Sequence, residues 1–328
     1  MSLAMSEAIE VRELRKAYDE VQALDGLSFG VEAGTVFGLL GPNGAGKSTA
    51  VKILTTLSAA DSGKATVAGH DVAHEPDSVR RAIGVVAQQS TVDREATTRE
   101  NVRLQGQVYG MPGAELEARI EELLERFNLA EAGDRIARTL SGGMERRLNI
   151  AMALVHRPRV LFLDEPTTGL DPEVRAEMWE EISALAAEQG MTILLTTHYL
   201  EEADRLASQL AILDRGRVVA EGSPEELKRE LRGDAIRVEV DSDRPDDLDH
   251  ALEGIAVREV KLDGRFLHAR ADDGARAVPA VLQALEARGV IAASVTVARP
   301  SLDDVYLRYA GRTFEQAEAD EAKPAAKR

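Results

Sequence analysis

Short apolar runs punctuate the first 230 or so residues, and longer stretches with helical spacing separate them. "TVFGLL" (35–40) reads as a buried strand, followed by a glycine-rich turn and then by "KSTAVKILTTL" as a helix. "RVLFLDEP" (159–166) and "MTILLTTH" (191–198) are further strand-sized runs. An unbroken apolar run of this length fits a strand covered on both faces. Between them "PEVRAEMWEEISALAAEQG" starts at a proline, has helical spacing and ends at a glycine, the usual punctuation of a helix. Strand, helix, strand at this rhythm predicts an α/β fold with a mainly parallel sheet covered by helices. Residues from about 95 to 157 carry no strand run and are rich in Glu, Arg, Leu and Ala, which predicts a helical insert.

The rhythm changes around "ELRGDA" (230–235). "IRVEV" alternates, "DDLDHALEGI" is helical, "VREVKL" and "FLHARA" alternate, "RAVPAVLQALEARG" is helical and "VIAASVTV" alternates. That β-α-β-β-α-β order is ferredoxin-like. The end, "TFEQAEADEAKPAAKR", is Ala-rich with segregated charges and predicts a disordered tail. The expected organisation is therefore a first domain over 1–232, a small α+β domain over 233–311 and a tail over 312–328.

Composition narrows the classes. With 328 residues, 44% hydrophobic and 30% charged, the chain has room for one large and one smaller globular domain. It has no cysteine, so disulfides and thiolate metal sites are excluded. A formal charge of −17 disfavours a nucleic-acid partner. The opening "MSLAMSEAIEVRELRKAYDE" lacks the apolar core of a signal peptide. No run approaches the ~20 apolar residues of a spanning helix, so work at a membrane requires a partner.

The chemistry begins at "GPNGAGKST" (41–49), which matches G-x-x-x-x-G-K-[ST] in full between a strand and a helix, the context this phosphate loop requires. Gly41, Gly44 and Gly46 permit close backbone approach, and successive N–H groups converge on phosphate oxygens at a helix N-terminus. Lys47 reaches the β- and γ-phosphates and Ser48 can ligate Mg²⁺. The candidate cradle is Gly41, Pro42, Asn43, Gly44, Ala45, Gly46, Lys47, Ser48 and Thr49. Such a loop needs a second magnesium anchor on a neighbouring strand. In "VLFLDEP" Asp164 falls at the strand's C-terminal end, where ligands bind in open α/β sheets. Asp164 is the candidate for magnesium, and Glu165 is the candidate base for polarising the attacking water. A second glycine-rich helix start, "LSGGM" (140–144), offers another anion site, with Ser141 as N-cap and Gly142 and Gly143 for clearance.

"GPNGAGKST", "LSGGM", "VLFLDEPTTGLD" and "LLTTH", in that order, resemble the ATP-binding subunits of ABC transporters. The resemblance implies a P-loop NTPase of ABC type with a helical insert, an ATPase activity, and ATP with Mg²⁺ as cofactors. It also implies roles for single residues: Tyr18 as the ring that stacks on adenine, Gln88 (or its neighbour Gln89) on magnesium and its water, Asp171 in the loop that communicates across a dimer, and His198 as the switch histidine near the γ-phosphate. Lys47, Glu165 and His198 are then the catalytic set, and Ser48, Gln88 and Asp164 the metal set. Met144 stands where the family's commonest signature has glutamine; the phosphate-facing Ser141, Gly142 and Gly143 remain.

A narrower likeness, carried by "GHDVAHEPDSVRRAIGVVAQQSTVD", "SGGMERRLNIA", "LLTTHYLEEADRLA" and "RPSLDDVYLRYAG", is to the daunorubicin/doxorubicin-resistance type. It implies a homodimer that sandwiches two ATP molecules, each between one phosphate loop and the other chain's Ser141–Gly143. The pair docks from the cytoplasmic face on separate membrane permease subunits and exports drugs or other hydrophobic small molecules, with no nucleic acid involved. The alternatives are a non-transport ABC-type ATPase of DNA repair or translation, and an importer subunit. The chain has neither the sustained heptads nor the cysteines that repair members carry in their inserts.

Overall fold

The computed structural model describes residues 7–241, 252 and 254–322. Two compact units divide between Ser223 and Pro224, earlier than the change of rhythm at 230–235.

The first unit opens with a surface sheet that the apolar runs do not announce. β1 (Glu7–Tyr18) and β2 (Val21–Glu32) pair antiparallel. β1 is charged at half of its twelve positions and its pairing is interrupted by several register shifts, so period-two alternation is blurred in the sequence. β3 (Val36–Leu40) is buried at every residue and leads through the phosphate loop into α1 (Lys47–Leu54). β4 (Ser62–Val67) and the two-residue β5 (His70–Asp71) complete the first sheet, ordered β2-β1-β4-β5.

α2 (Pro76–Ala82) and β6 (Ile83–Val86) precede the helical insert. The insert contains α3 (Thr98–Val108), held at its start by a Thr97–Glu100 capping box, then α4 (Gly113–Arg126) and α5 (Gly142–Leu154). The described segment from 95 to 157 contains no strand. The chain then alternates through β7 (Val160–Asp164), α6 (Pro172–Gln189), β8 (Thr192–Thr197), α7 (Leu200–Leu206), β9 (Gln209–Asp214) and β10 (Arg217–Gly222). α6 ends at Gly190 in the left-handed conformation, a stop signal read correctly. The central sheet has the order β10-β9-β3-β8-β7-β6, parallel except for β10. Leu39, Leu161, Phe162, Leu194 and Leu195 are fully buried within it. Burying apolar side chains on both faces contributes about 25 cal/mol per Å² removed from water, and it fixes where the C-terminal strand ends lie.

The second unit begins with α8 (Pro224–Glu230). The segment 224–232, expected with the first domain, is fastened here: Leu231 is buried and accepts a bond from Arg270, Glu230 accepts one from Tyr309, and the Arg232 carbonyl accepts one from Arg258. β11 (Asp234–Val240), β12 (Arg258–Asp263), β13 (Phe266–Ala271), α9 (Gly274–Glu286) and β14 (Ala292–Ala298) follow. The antiparallel sheet order β12-β13-β11-β14 is that of a ferredoxin-like domain. The helix expected over "DDLDHALEGI" lies largely outside the described residues. α10 (Leu302–Ala310) starts at a Ser301–Asp304 capping box.

The expected tail needs correction. α11 (Phe314–Ala322) is a helix with Phe314 and Ala317 buried, and the Phe314 ring meets Tyr306 edge-on at 5.0 Å. Two apolar residues three apart share one face and dock it, which composition alone did not reveal. Residues 323–328 of that tail lie outside the described residues.

Candidate functional site

The site lies at the C-terminal ends of β3, β7 and β8, where the parallel sheet brings three loops together. Hydrophobic runs terminate there at Leu40, Asp164 and Thr197, so the polar residues that follow emerge side by side.

After β3 the chain turns sharply. The loop folds back so closely that a Cβ on Gly46 would stand 2.5 Å from the Ala23 carbonyl oxygen, and one on Gly41 would stand 2.6 Å from that of Leu213. Gly46 also sits at φ 108°, a region costly for any residue with a side chain. Pro42 and Ala45 are buried; Asn43 and Gly44 are exposed; Ser48 and Thr49 are half-buried at the start of α1. Lys47 is 4% exposed. Its ammonium donates to the carbonyls of Gly41 (2.7 Å) and Pro42 (3.0 Å) and lies 3.6 Å from Glu165 Oε1.

Ser48 Oγ and Thr196 Oγ1 both donate to Asp164 Oδ1, at 3.3 and 2.6 Å. Glu165 is the hub. It is 7% exposed and adopts φ 50°, a strained setting for a non-glycine residue that clusters at functional sites. Its N–H is held by the Thr196 carbonyl (3.1 Å) and Oγ1 (3.0 Å). Its carboxylate accepts from Gln88 Nε2 (3.1 Å) and Thr168 Oγ1 (3.3 Å). His198 Nδ1 stands 3.3 Å from Oε1, a close approach without hydrogen-bond alignment. The His198 imidazole, and with it the Lys47 ammonium, holds the Glu165 carboxyl below its ordinary 4.5, against the burial that pushes it up. Glu165 is therefore a charged, ready acceptor at neutral pH. Of the adjacent pair, Gln88 is the one that reaches it.

The structure thus brings Lys47, Ser48, Gln88, Asp164, Glu165 and His198 together. Ser141, Gly142, Gly143 and Asp171 form a separate cluster. Ser141 caps α5 by accepting from the Met144 N–H (3.3 Å), and Asp171 caps α6 by accepting from the Val174 N–H (3.0 Å). The two helix starts abut: a Cβ on Gly143 would meet Val174 Cγ1 at 2.7 Å, and one on Gly142 would lie 4.0 Å from Leu170. Tyr18 is set apart at the end of β1, 45% exposed, with its hydroxyl 3.5 Å from Ser58 Oγ and the Lys16 ammonium 5.3 Å from the ring centre.

Sequence reading missed Arg146. Its guanidinium, half-buried and by that desolvation pushed below the usual arginine range, donates to the carbonyls of Ala87, Asp164, Glu165 and Pro166 at 2.7 to 3.3 Å. It stands five residues after Ser141 in a charged stretch, and nothing in its local pattern distinguishes it from Arg147, which pairs with Glu177 and Glu181 at the surface of α6.

The donor set fits Mg²⁺ and a triphosphate. Hydroxyl, carboxylate and amide oxygens are the hard ligands that magnesium takes, and the loop places a buried ammonium at a helix N-terminus. Among the described residues no group of three or more His, Cys, Asp and Glu is placed to hold a metal ion, and no helix is long and apolar enough to cross a membrane.

Comparison with known proteins agrees with this geometry. The model of the family "ABC transporter" matches residues 24–168, and that of "ATP-binding protein DrrA1-3-like, C-terminal domain" matches 222–310. The chain is 46% identical to the daunorubicin resistance ATP-binding protein DrrA2 of Streptomyces coeruleorubidus, over 96% of this chain and 98% of that protein. It is 40% identical to the Nod factor export ATP-binding protein I of Rhizobium sp. (strain N33), over 94% of this chain and 99% of that protein. Among solved structures, cbiO1 from Clostridium perfringens superposes with a TM-score of 0.64 at 29% identity, over 69% of this chain and 92% of that one.

Proposed function

The chain belongs to the ATP-binding subunits of ABC transporters, and from that premise we propose how its site works and what it serves. It is an ATP-hydrolysing subunit of an exporter that works with membrane permease subunits. The relatives' names favour export over the repair, translation and importer readings. The cargo we assign is a drug or another hydrophobic small molecule, selected by the membrane subunits; the daunorubicin resistance proteins among the relatives support it. The working unit is a homodimer at the cytoplasmic face of the membrane.

When bound, ATP supplies the γ-phosphoryl group and Mg²⁺ neutralises its charge. Lys47 and the backbone N–H groups of the 41–49 loop, Pro42 apart, would hold the phosphates. Ser48 and Asp164 would hold the metal, with Gln88 beside them. Glu165 orients a water and takes its proton. His198 steadies Glu165 and the phosphate end, and Tyr18 stacks on the base. Ser141, Gly142 and Gly143 of one copy close over the phosphates held by the other, beside Asp171.

The observation that carries this reading is the convergence of Lys47, Gln88, Thr168 and His198 on one strained, charged Glu165. The test is to reconstitute the chain with its permease in vesicles and follow ATP-dependent efflux. Glu165→Gln is expected to lower turnover by about 10²- to 10⁴-fold, the worth of a general base, while ATP binding persists and a closed dimer accumulates. Native turnover in that variant removes Glu165 from its role.

A further inference from the structure

Glu202 is a fully buried carboxylate that the mechanism above does not use. It lies in the first turn of α7, four residues after His198, and is 0% exposed. Its Oε1 accepts from Thr167 Oγ1 at 2.7 Å and from Trp179 Nε1 at 3.0 Å. Its Oε2 is buried with no hydrogen-bond partner. A carboxylate taken out of water at this depth is expensive unless charge and hydrogen bonds offset the cost, so its place calls for an explanation beyond filling space beside Trp179.

The surroundings supply one. Thr167 lies two residues after Glu165, in the loop that runs to Asp171. Arg146 grips the same stretch from α5, through the carbonyls of Asp164, Glu165 and Pro166, and its charge is stabilised by Glu202. The strand end that carries the catalytic carboxylate is thus held from one side by α5, whose start is Ser141, and from the other by α7, which follows His198. A second strap runs parallel to the first. Arg175 donates to the Leu170 carbonyl at 3.3 Å, and its guanidinium lies 4.5 Å from the ring centre of Tyr199, which in turn lies 4.2 Å from the His198 ring. Both ends of the 167–170 loop are therefore fastened to the chain immediately after His198.

We propose that Glu202 is a positioning residue that couples the loop ending at Asp171 to the switch-histidine segment, through Thr167 and Trp179, so that contact made by a second copy at Asp171 is felt at His198. This rests on the roles given above to Asp171 and His198. The link consists of hydrogen bonds accepted by Oε1, so an amide at 202 preserves it and a methyl group does not.

The full-length chain tests this in two ways. In steady-state ATP turnover, Glu202→Ala and the near-isosteric Thr167→Val lower kcat by about tenfold to a hundredfold, the scale of a small misplacement of catalytic groups, with KM for ATP within about twofold. Glu202→Gln melts at a lower temperature, because Arg146 loses a compensating charge, yet keeps about half or more of native kcat. The Glu202→Ala, Thr167→Val double variant is no slower than the slower single one. In the imidazole ¹H–¹⁵N spectrum without nucleotide, Thr167→Val moves the His198 signal and leaves those of His70 and His74 in place. A Thr167→Val chain with native kcat and an unmoved His198 signal overturns the proposal, as does a Glu202→Gln chain as slow as Glu202→Ala. A native chain without ATP turnover overturns the ATPase mechanism instead; the His198 signal then still decides the coupling.

Discussion

Two glycine-bearing helix starts in the same unit differ in nearly everything else. α1 begins at a loop so compressed that Gly41 and Gly46 have no room for a side chain, and it carries Lys47, buried and paired with Glu165. α5 begins at an exposed Ser141 and Gly142, with no basic side chain in its first turn and an N-cap that bonds only its own helix. On the reading proposed above, the first is a complete phosphate site. The second offers N–H groups and clearance without a cation. A site of that kind is weak alone and sufficient when another loop already holds the charge, as it would in a homodimer with two shared ATP molecules.

The largest break in the comparison is Lys47→Ala. It strips the complete site of its cation and leaves Glu165 buried beside no ammonium. ATP affinity is expected to fall by about a hundredfold or more, in line with the loss of a charge-assisted contact in a dry site, and turnover with it. Isothermal titration with ATP checks the first and phosphate release the second. Unchanged hydrolysis would remove the phosphate-loop assignment.

Ser141→Arg comes next and strikes only the bare start. The new side chain occupies the space where a partner's phosphates would enter. ATP binding to the single chain stays within about twofold while ATP-driven pairing and turnover fall by about tenfold or more. Light scattering with and without ATP follows the pairing. Wild-type-like turnover from a strictly monomeric chain overturns the shared-site reading.

Acid separates the two starts more gently. Glu165 titrates below 4.5 because His198 and Lys47 favour its charged form. A carboxyl whose folded value is depressed contributes stability that is fully present above its unfolded value and is lost as pH falls through the folded one. The melting temperature of the native chain relative to Glu165→Gln therefore falls as pH drops below the ordinary carboxyl value of 4.5 and Glu165 takes up its proton. The difference between native and Ser141→Arg stays flat over the same range, since no titrating side chain is introduced or removed at α5. A melting difference for Glu165→Gln that drops already between pH 6 and 7 would contradict the assigned charge state.

What the sequence disclosed follows from what is contiguous in it. The phosphate loop, Asp164 and Glu165 stand out because each sits in a short contiguous motif at the end of an apolar run, even though their partners come from distant parts of the chain, and the buried strands stand out because they are unbroken apolar runs. Arg146 and Glu202 were not legible: the carbonyls and hydroxyls they hold come from other elements, and each stands in a charged helix beside residues of the same type. β1 and β2 hid for a different reason, since their bulges break the alternation that marks a strand. α8 and α11 were misplaced because a single buried face on a short helix leaves too faint a pattern. Leu227 and Leu231 anchor the one, Phe314 and Ala317 the other.

The smallest expected effect concerns Met144, the last residue of the second helix start's LSGGM run. Its backbone N–H donates to Ser141 Oγ, and its side chain packs, partly buried, against the apolar core that includes Trp179 and Leu148. The part of residue 144 that shapes the anion site is therefore its backbone, which any side chain leaves in place. Met144→Gln should keep turnover within about twofold and cost about 1 kcal/mol of stability, the lower end for trading a partly buried apolar side chain for a polar one. Phosphate release and thermal melting measure the two. A turnover change beyond about tenfold in either direction would mean that the side chain at 144 reaches the shared phosphates, and that the bare helix start is less bare than its N-cap geometry indicates.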